Sequence, residues 1–194
     1  MDDIFHHIKS IVTMGGWISY FWPQKSAEFD VSPGLDEVES ASGLTLRQKK
    51  VVTEIWDLVK IDIKQNGIDF FIEFFKAFPL NLNNFKAFQN MTDDQLRKSK
   101  KLEAHATNVM YAISTVVDNL QDVECLTELL STIGRNHIKR KITPVQFDQV
   151  GITFIKFLEN KLGSRITPFC RNAWEVTFKV MNSIIVAGLQ SNDD

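Results

Sequence analysis

Beyond residue 44, apolar residues recur at intervals of three and four positions. This spacing is typical of helices, and it is the feature of the sequence that most constrains the fold. The clearest example is the run of Leu126, Leu129, Leu130 and Ile133, which marks one apolar face of a helix. Alternating apolar and polar runs bounded by turn residues, which would indicate strands, do not occur in this part of the sequence. The sequence therefore predicts an all-α fold.

Capping signals divide the helical pattern into separate helices. Thr45, Thr92 and Thr143 are each followed three positions later by Gln, which is the capping-box signature of a helix start. We expect Asn66-Gly67 to separate the first two helices, and a single helix to run from Thr92 to about Leu120. The result is about six long helices joined by short turns.

The first 43 residues differ in composition from the rest. They carry seven acidic and two basic side chains, a net charge of −5, whereas residues 44–194 have a net charge of +3. Residues 23–43 are rich in Ser, Pro, Gly and acidic side chains, which is typical of a linker without a packed core. We expect residues 1–43 to be a largely flexible N-terminal extension and acidic linker, 44–190 to be the folded domain, and 191–194 to be a C-terminal tail.

Residues 8–22 of the extension are apolar and aromatic, but Gly15-Gly16 interrupts the run. The segment is not typical of a signal peptide, because Asp2 and Asp3 stand where positive charge is expected and no small-residue cleavage site follows. Two interpretations stay open. The segment is either a flexible extension that packs loosely on the domain, or a docking element for a membrane surface or another protein.

The composition excludes several classes of function. A net charge of −2 gives no basic field for binding nucleic acid. No apolar run approaches the ~20 residues that a membrane-spanning helix needs. Cys125 and Cys170 are too few and too far apart for a disulfide framework or a zinc site, which favours a reducing, cytoplasmic location.

Two of the four histidines lie on the predicted helical stripes. His137 follows Ile133 by four residues, at the end of one stripe. His105 lies between Leu102 and Val109 on the stripe of the preceding helix. Such a histidine either ligates a metal or is a core residue whose ring bonds a backbone carbonyl. The 32 residues between the two are too many for a local zinc pair, but two imidazoles facing an apolar space suit haem iron.

The order and spacing of these residues resemble the globin family over residues 44–189. Trp56 is similar to the tryptophan of that family's first helix, and Phe85 to the phenylalanine that packs on its haem. His105 and the residues after it resemble the distal motif, and His137 matches the proximal ligand. The segment that leads up to His137 is especially similar to neuroglobin and cytoglobin.

The resemblance implies a globin fold around one haem b, with His137 as the proximal iron ligand and His105 as the distal histidine. His105 would either donate a hydrogen bond to a bound gas or bind the iron itself as a sixth ligand. The residues that the resemblance assigns to the haem pocket are Phe71, Phe85, Phe88, His105, Val109, Ile133, His137, Ile142 and Phe147.

Three classes of function follow from these expectations. The resemblance implies reversible binding of O2, CO and NO, as an oxygen carrier, store or sensor. A haem redox enzyme (an NO dioxygenase, a nitrite reductase or a peroxidase) would need an external reductase, because the sequence contains no flavin or NAD fingerprint. A haem-free helical interaction module would act through residues 8–22, but the presence of both His105 and His137 argues against it.

Overall fold

A computed structural model describes residues 34–39 and 42–191, and within them the chain forms helices and turns without a strand. The α-helices are α1 (Leu46–Lys60), α2 (Ile63–Ala77), α3 (Asp93–Lys98), α4 (Lys100–Asp118), α5 (Val123–Ile138), α6 (Pro144–Leu162) and α7 (Pro168–Gln190). Short 3₁₀ segments lie at Pro79–Asn84, Lys86–Phe88 and Gly163–Arg165. All of the described α-helices except α3 have 15 residues or more, so the predicted all-α fold with about six long helices is confirmed.

The helix starts follow the capping signals of the sequence. At α1 the Thr45 hydroxyl accepts from the Gln48 N–H at 3.1 Å, and the Thr45 N–H donates to the Gln48 side chain at 2.9 Å. Thr92 and Gln95 form the same reciprocal pair at α3, at 3.3 and 2.8 Å. Each capping box provides hydrogen-bond acceptors for two backbone N–H groups. One of the two belongs to the first turn of the helix, where N–H groups have no acceptor within the helix. The local sequence therefore sets where these helices begin.

The predicted break at Asn66-Gly67 is wrong, because both residues lie inside α2, which begins at Ile63. A Cβ on Gly67 would lie 3.0 Å from Cγ of Met110 and 3.2 Å from the backbone of Ala106. Glycine at this position thus allows α2 and α4 to cross closely. The residue that the sequence marks as a helix breaker serves here as a packing contact.

The single helix predicted from Thr92 to about Leu120 is also wrong, because Ser99 separates α3 from α4. Ser99 has an extended backbone, with φ −74° and ψ 114°, and its side chain accepts from the N–H of Leu102 at 3.4 Å. A serine hydroxyl that bonds a nearby backbone N–H favours a helix start over a helix interior. This new start places His105 in the second turn of α4.

An aromatic cluster at the centre of the domain joins four helices. Its fully buried rings are Trp56 from α1, Phe70 from α2, Phe154 from α6 and Trp174 from α7. The ring centroids of Phe154 and Trp174 are 5.4 Å apart, and those of Phe70 and Phe154 are 5.5 Å apart. The indole N–H of Trp56 donates to Ser114 on α4 at 3.0 Å. Burial of one such ring contributes roughly 3 kcal/mol, so this cluster is a main source of stability.

Two ion pairs fasten the residues before α1 to the helices. Arg47 donates to both carboxylate oxygens of Asp36, at 2.8 and 3.1 Å. Lys49 is buried, and its ammonium nitrogen lies 2.5 Å from a carboxylate oxygen of Glu39 and 3.3 Å from the side-chain oxygen of Gln121, just after α4. These contacts tie part of the predicted linker to the folded domain. The domain boundaries at residues 44 and 190 stay a prediction.

The apolar segment 8–22, for which docking is one interpretation, and the last three residues lie outside the described residues. Among the described helices, none is both long enough and apolar enough to cross a membrane. The helices α2, α4, α5 and α6 carry the predicted site residues, apart from Phe85, Phe88 and Ile142, which lie between helices or in a short 3₁₀ segment.

Candidate haem site

The imidazole of His105 lies among aromatic side chains from α2 and from the segment that follows it. Its ring centroid is 5.0 Å from that of Phe71 and 5.2 Å from that of Phe85, in edge-to-face arrangements. Phe88 stacks on Phe85 at 5.4 Å. The close crossing of α2 and α4 at Gly67 accounts for the contact of Phe71 with His105. As a result, His105, the predicted distal histidine, lies next to apolar aromatic side chains.

These surroundings keep the His105 imidazole neutral. Burial lowers the pKa of His105 from 6.5 to about 4, and electrostatic interactions with His137 and Arg140 act in the same direction. Among the described residues, no group hydrogen-bonds His105. At neutral pH the ring therefore keeps a lone pair that could bind a metal.

The ring of His137 is held by the backbone of its own helix. Its Nδ1 is 2.7 Å from the carbonyl oxygen of Ile133, one turn earlier on α5. A carbonyl oxygen can only accept, so Nδ1 carries a proton, and in the neutral form of the ring the lone pair is on Nε2. Phe147 of α6 lies edge-to-face against the ring, with centroids 5.3 Å apart. The two interpretations of such a histidine are therefore compatible, because the carbonyl bond orients the ring and leaves Nε2 for a metal.

The predicted pocket residues other than the two histidines differ in burial. Phe71 and Phe88 are buried. Four side chains pack against the core and stay partly exposed: Phe85, Val109, Ile133 and Phe147. Ile142 is partly exposed in the turn between α5 and α6. The structure thus brings Phe71 and Phe85 to His105, with Phe88 stacked on Phe85, and Phe147 to His137. The place of every one of these residues at a haem stays a prediction, as do those of Val109, Ile133 and Ile142.

Two residues outside the predicted site list pack against it. Phe75 is buried, and its ring centroid lies 5.8 Å from Phe71 and 5.3 Å from Phe85. Its position four residues after Phe71 was a signal, because such pairs are neighbours on a helix face. Gly67 was interpreted as a helix breaker, although it stands four residues before Phe71 on the same face.

The donor set fits haem better than a metal ion held by protein ligands alone. Among the described residues, no three His, Cys, Asp or Glu side chains are grouped to hold a metal ion. A zinc site needs at least three such ligands. Two imidazoles among phenylalanines suit a metal whose other ligands come from an apolar macrocycle, as in haem. The residues present therefore fit this group.

Comparison with known proteins gives an independent result. Residues 68–185 match the family model described as Globin. Cytoglobin-2 of Danio rerio is 31% identical over 153 residues, which cover 78% of this chain and 84% of the relative. Neuroglobin of Tetraodon nigroviridis is 28% identical over 153 residues, covering 78% of this chain and 96% of the relative.

A solved structure has the same arrangement of helices. It is described as a hexacoordinated heme protein from an anhydrobiotic tardigrade at pH 4, and it matches with a TM-score of 0.74. The match covers 79% of this chain and 99% of that chain, at 19% sequence identity. At this identity the likeness concerns the fold.

Proposed function

The chain belongs to the globin family, and on this premise we propose that it binds haem b and reversibly takes up O2, CO and NO as a carrier, store or sensor. The observation that carries the proposal is the pair of imidazoles. His137 directs its Nδ1–H to a backbone carbonyl and keeps the Nε2 lone pair. His105, on another helix, is neutral and unbonded next to apolar aromatic side chains.

His137 would hold the haem iron through Nε2. The bond from Nδ1–H to Ile133 fixes the tautomer and raises the basicity of the opposite nitrogen. Phe147 limits rotation of the ring from the other side. Ferrous haem, when bound, supplies the site at which diatomic gases bind. The side chains around it would shield that site from bulk water.

We propose that His105 occupies the sixth coordination position when no gas is bound. Its lone pair is free of a proton at neutral pH, and no hydrogen bond to the described residues competes for it. The heme protein that resembles this chain in structure is described as hexacoordinated, which agrees with this proposal without testing it. A gas would then bind only after His105 leaves, so ligand binding would depend on the rate of His105 dissociation.

The experiment is a set of visible spectra on protein expressed with haem supplied. Wild type should show a Soret band, and its ferrous form should show the low-spin bands of bis-histidine haem. His137→Ala should lose the haem, whereas His105→Leu should retain it with a five-coordinate, high-spin ferrous spectrum and faster CO binding. His6→Ala is the matched control, because this histidine lies in the N-terminal extension.

Two results would contradict the proposal. Wild-type protein that stays colourless with haem supplied would exclude haem binding and gas binding together. A five-coordinate, high-spin ferrous wild type would exclude His105 as the sixth ligand and leave haem binding intact.

The cellular setting is part of the same proposal. Cys125 and Cys170 are free thiols, as expected of a protein in a reducing compartment, so we place this globin in the cytoplasm. Keeping its iron ferrous would need electrons from a separate reductase, because the sequence has no flavin or NAD fingerprint. Cell fractionation tests the location, and reduction of the ferric protein by a cytoplasmic extract with NADH tests the electron supply.

A further inference from the structure

Helices α5 and α7 meet backbone to backbone at Gly134 and Gly188. A Cβ added at Gly134 would lie 2.2 Å from the carbonyl oxygen of Ile185, and one added at Gly188 would lie 2.4 Å from that of Ser131. Both distances are far below the ~3.5 Å at which heavy atoms pack favourably. The opposing atoms belong to the main chain, so no side-chain rotation could make room. The closeness of the two helices therefore requires both glycines.

This contact lies one helical turn before His137. Gly134 shares a peptide group with Ile133, whose carbonyl oxygen accepts the Nδ1–H of His137 at 2.7 Å. A peptide group is planar and rigid, so this oxygen cannot move independently of the Gly134 backbone. On the other side of the contact, α7 is anchored in the aromatic cluster by the fully buried Trp174. The glycine contact thus links the core to the acceptor that orients the imidazole.

We propose that Gly134 and Gly188 are positioning residues for His137, because their contact sets the distance between α5 and α7 and with it the place of Nε2 relative to the haem. This inference rests on the proposed haem binding. A Cβ at either glycine must move α5 away by about 1 Å to restore ordinary packing distances. The imidazole at the end of α5 moves with its helix, and misplacement of a reacting group by about 1 Å has large effects.

The test compares Gly134→Ala and Gly188→Ala with Gly151→Ala in the haem-loaded protein. Gly151 is a matched control, because it is also a helical glycine facing α7, but its added Cβ would lie 3.4 Å from the side chain of Phe178, in ordinary contact. Two quantities are measured: the iron–histidine stretching frequency after photolysis of the CO complex, and the rate of haem transfer to an apo-globin acceptor. We expect the first two variants to show a lower frequency and haem loss faster by at least about tenfold, as for other groups that orient a metal ligand.

A second arm separates positioning from general weakening of the fold. In His137→Gly protein supplied with imidazole, the iron ligand is no longer joined to α5. Adding Gly134→Ala to this background should leave the iron–imidazole frequency unchanged, while Gly134→Ala alone lowers the iron–histidine frequency. If the added alanine lowers both frequencies equally, the contact acts on the whole pocket and the proposal is overturned.

The remaining outcomes are also decisive. If wild type binds haem through His137 and the alanine variants match it in frequency and rate of haem loss, the positioning role is overturned and the proposed function stands. Wild type that takes up no haem overturns both. Trimethylamine N-oxide is an osmolyte that favours the folded state. If the variants do not fold even in its presence, the contact is needed for folding, and the proposed positioning role is overturned.

Discussion

The haem-free protein should lose stability in acid because of His105. In the folded protein the pKa of this imidazole is about 4, because the ring is partly buried against Phe71 and Phe85, and in the unfolded chain it returns to about 6.5. Between these pH values the unfolded chain binds a proton that the folded protein does not. The free energy of unfolding therefore falls as the pH drops from 6.5 towards 4 and levels off below 4.

The size of the effect follows from the same two pKa values. One pKa unit corresponds to about 1.36 kcal/mol, so the difference between 6.5 and about 4 sets a ceiling of about 3 kcal/mol. The His105 ring keeps part of its surface in solvent, which reduces the effect, and we expect about 2 kcal/mol. Since domains are typically stable by 5–15 kcal/mol, roughly, this loss is measurable.

Urea unfolding of haem-free wild type and His105→Leu, at a series of pH values from neutral to about 4, measures this contribution. Leucine keeps an apolar side chain against Phe71 and Phe85 but cannot take up a proton. The carboxylates titrate in both proteins, so the difference between the two stability curves isolates His105. That difference should change by about 2 kcal/mol in favour of the leucine variant as the pH falls. Parallel curves would show that the ring is well solvated and would refute the reasoning.

Three further changes test the packing that supports the site. Ser114→Ala should destabilise the protein by about 1–3 kcal/mol in urea unfolding, because the buried indole N–H of Trp56 loses its acceptor; an unchanged midpoint would mean that the hydrogen bond contributes nothing. Gly67→Ala should lower the melting temperature despite the better helix propensity of alanine, because the added Cβ meets α4 at 3.0–3.2 Å, and a higher melting temperature would contradict that close crossing. Glu39→Ala should lower the melting temperature more than Lys49→Met, because it leaves the buried ammonium of Lys49 with only the uncharged Gln121 as a partner. Lys49→Met leaves a Glu39 carboxylate that is 45% exposed, and the reverse order would be inconsistent with a buried lysine.

Local sequence was sufficient for the helices themselves. Apolar spacing predicted the α-helical class, and the capping boxes at Thr45 and Thr92 predicted two helix starts that the structure has. These features act within one or two turns, through side chains that bond nearby backbone N–H groups. Such interactions are contained in a short stretch of sequence and can be recognised there.

Helix ends that depend on packing were not predictable in this way. Asn66-Gly67 is typical of a turn, but the close crossing with α4 favours a helix in which Gly67 makes room for Ala106 and Met110. Ser99 is a common residue within a polar stretch, and only its extended backbone in the folded chain shows it to be a cap. For Gly67 the deciding interaction is the packing of two helices, which spacing along one helix does not contain.

The sequence by itself determined that two imidazoles lie on the apolar faces of two successive long helices, and the family resemblance assigned them to haem. Only the tertiary structure decided their chemical states. It placed His105 among rings from α2 and the following segment, which lowers its pKa to about 4, and it directed Nδ1 of His137 to a backbone carbonyl. It also revealed the contact of Gly134 with Gly188, residues 54 positions apart. The physical reason is that desolvation and close helix packing depend on neighbours that are remote in the chain.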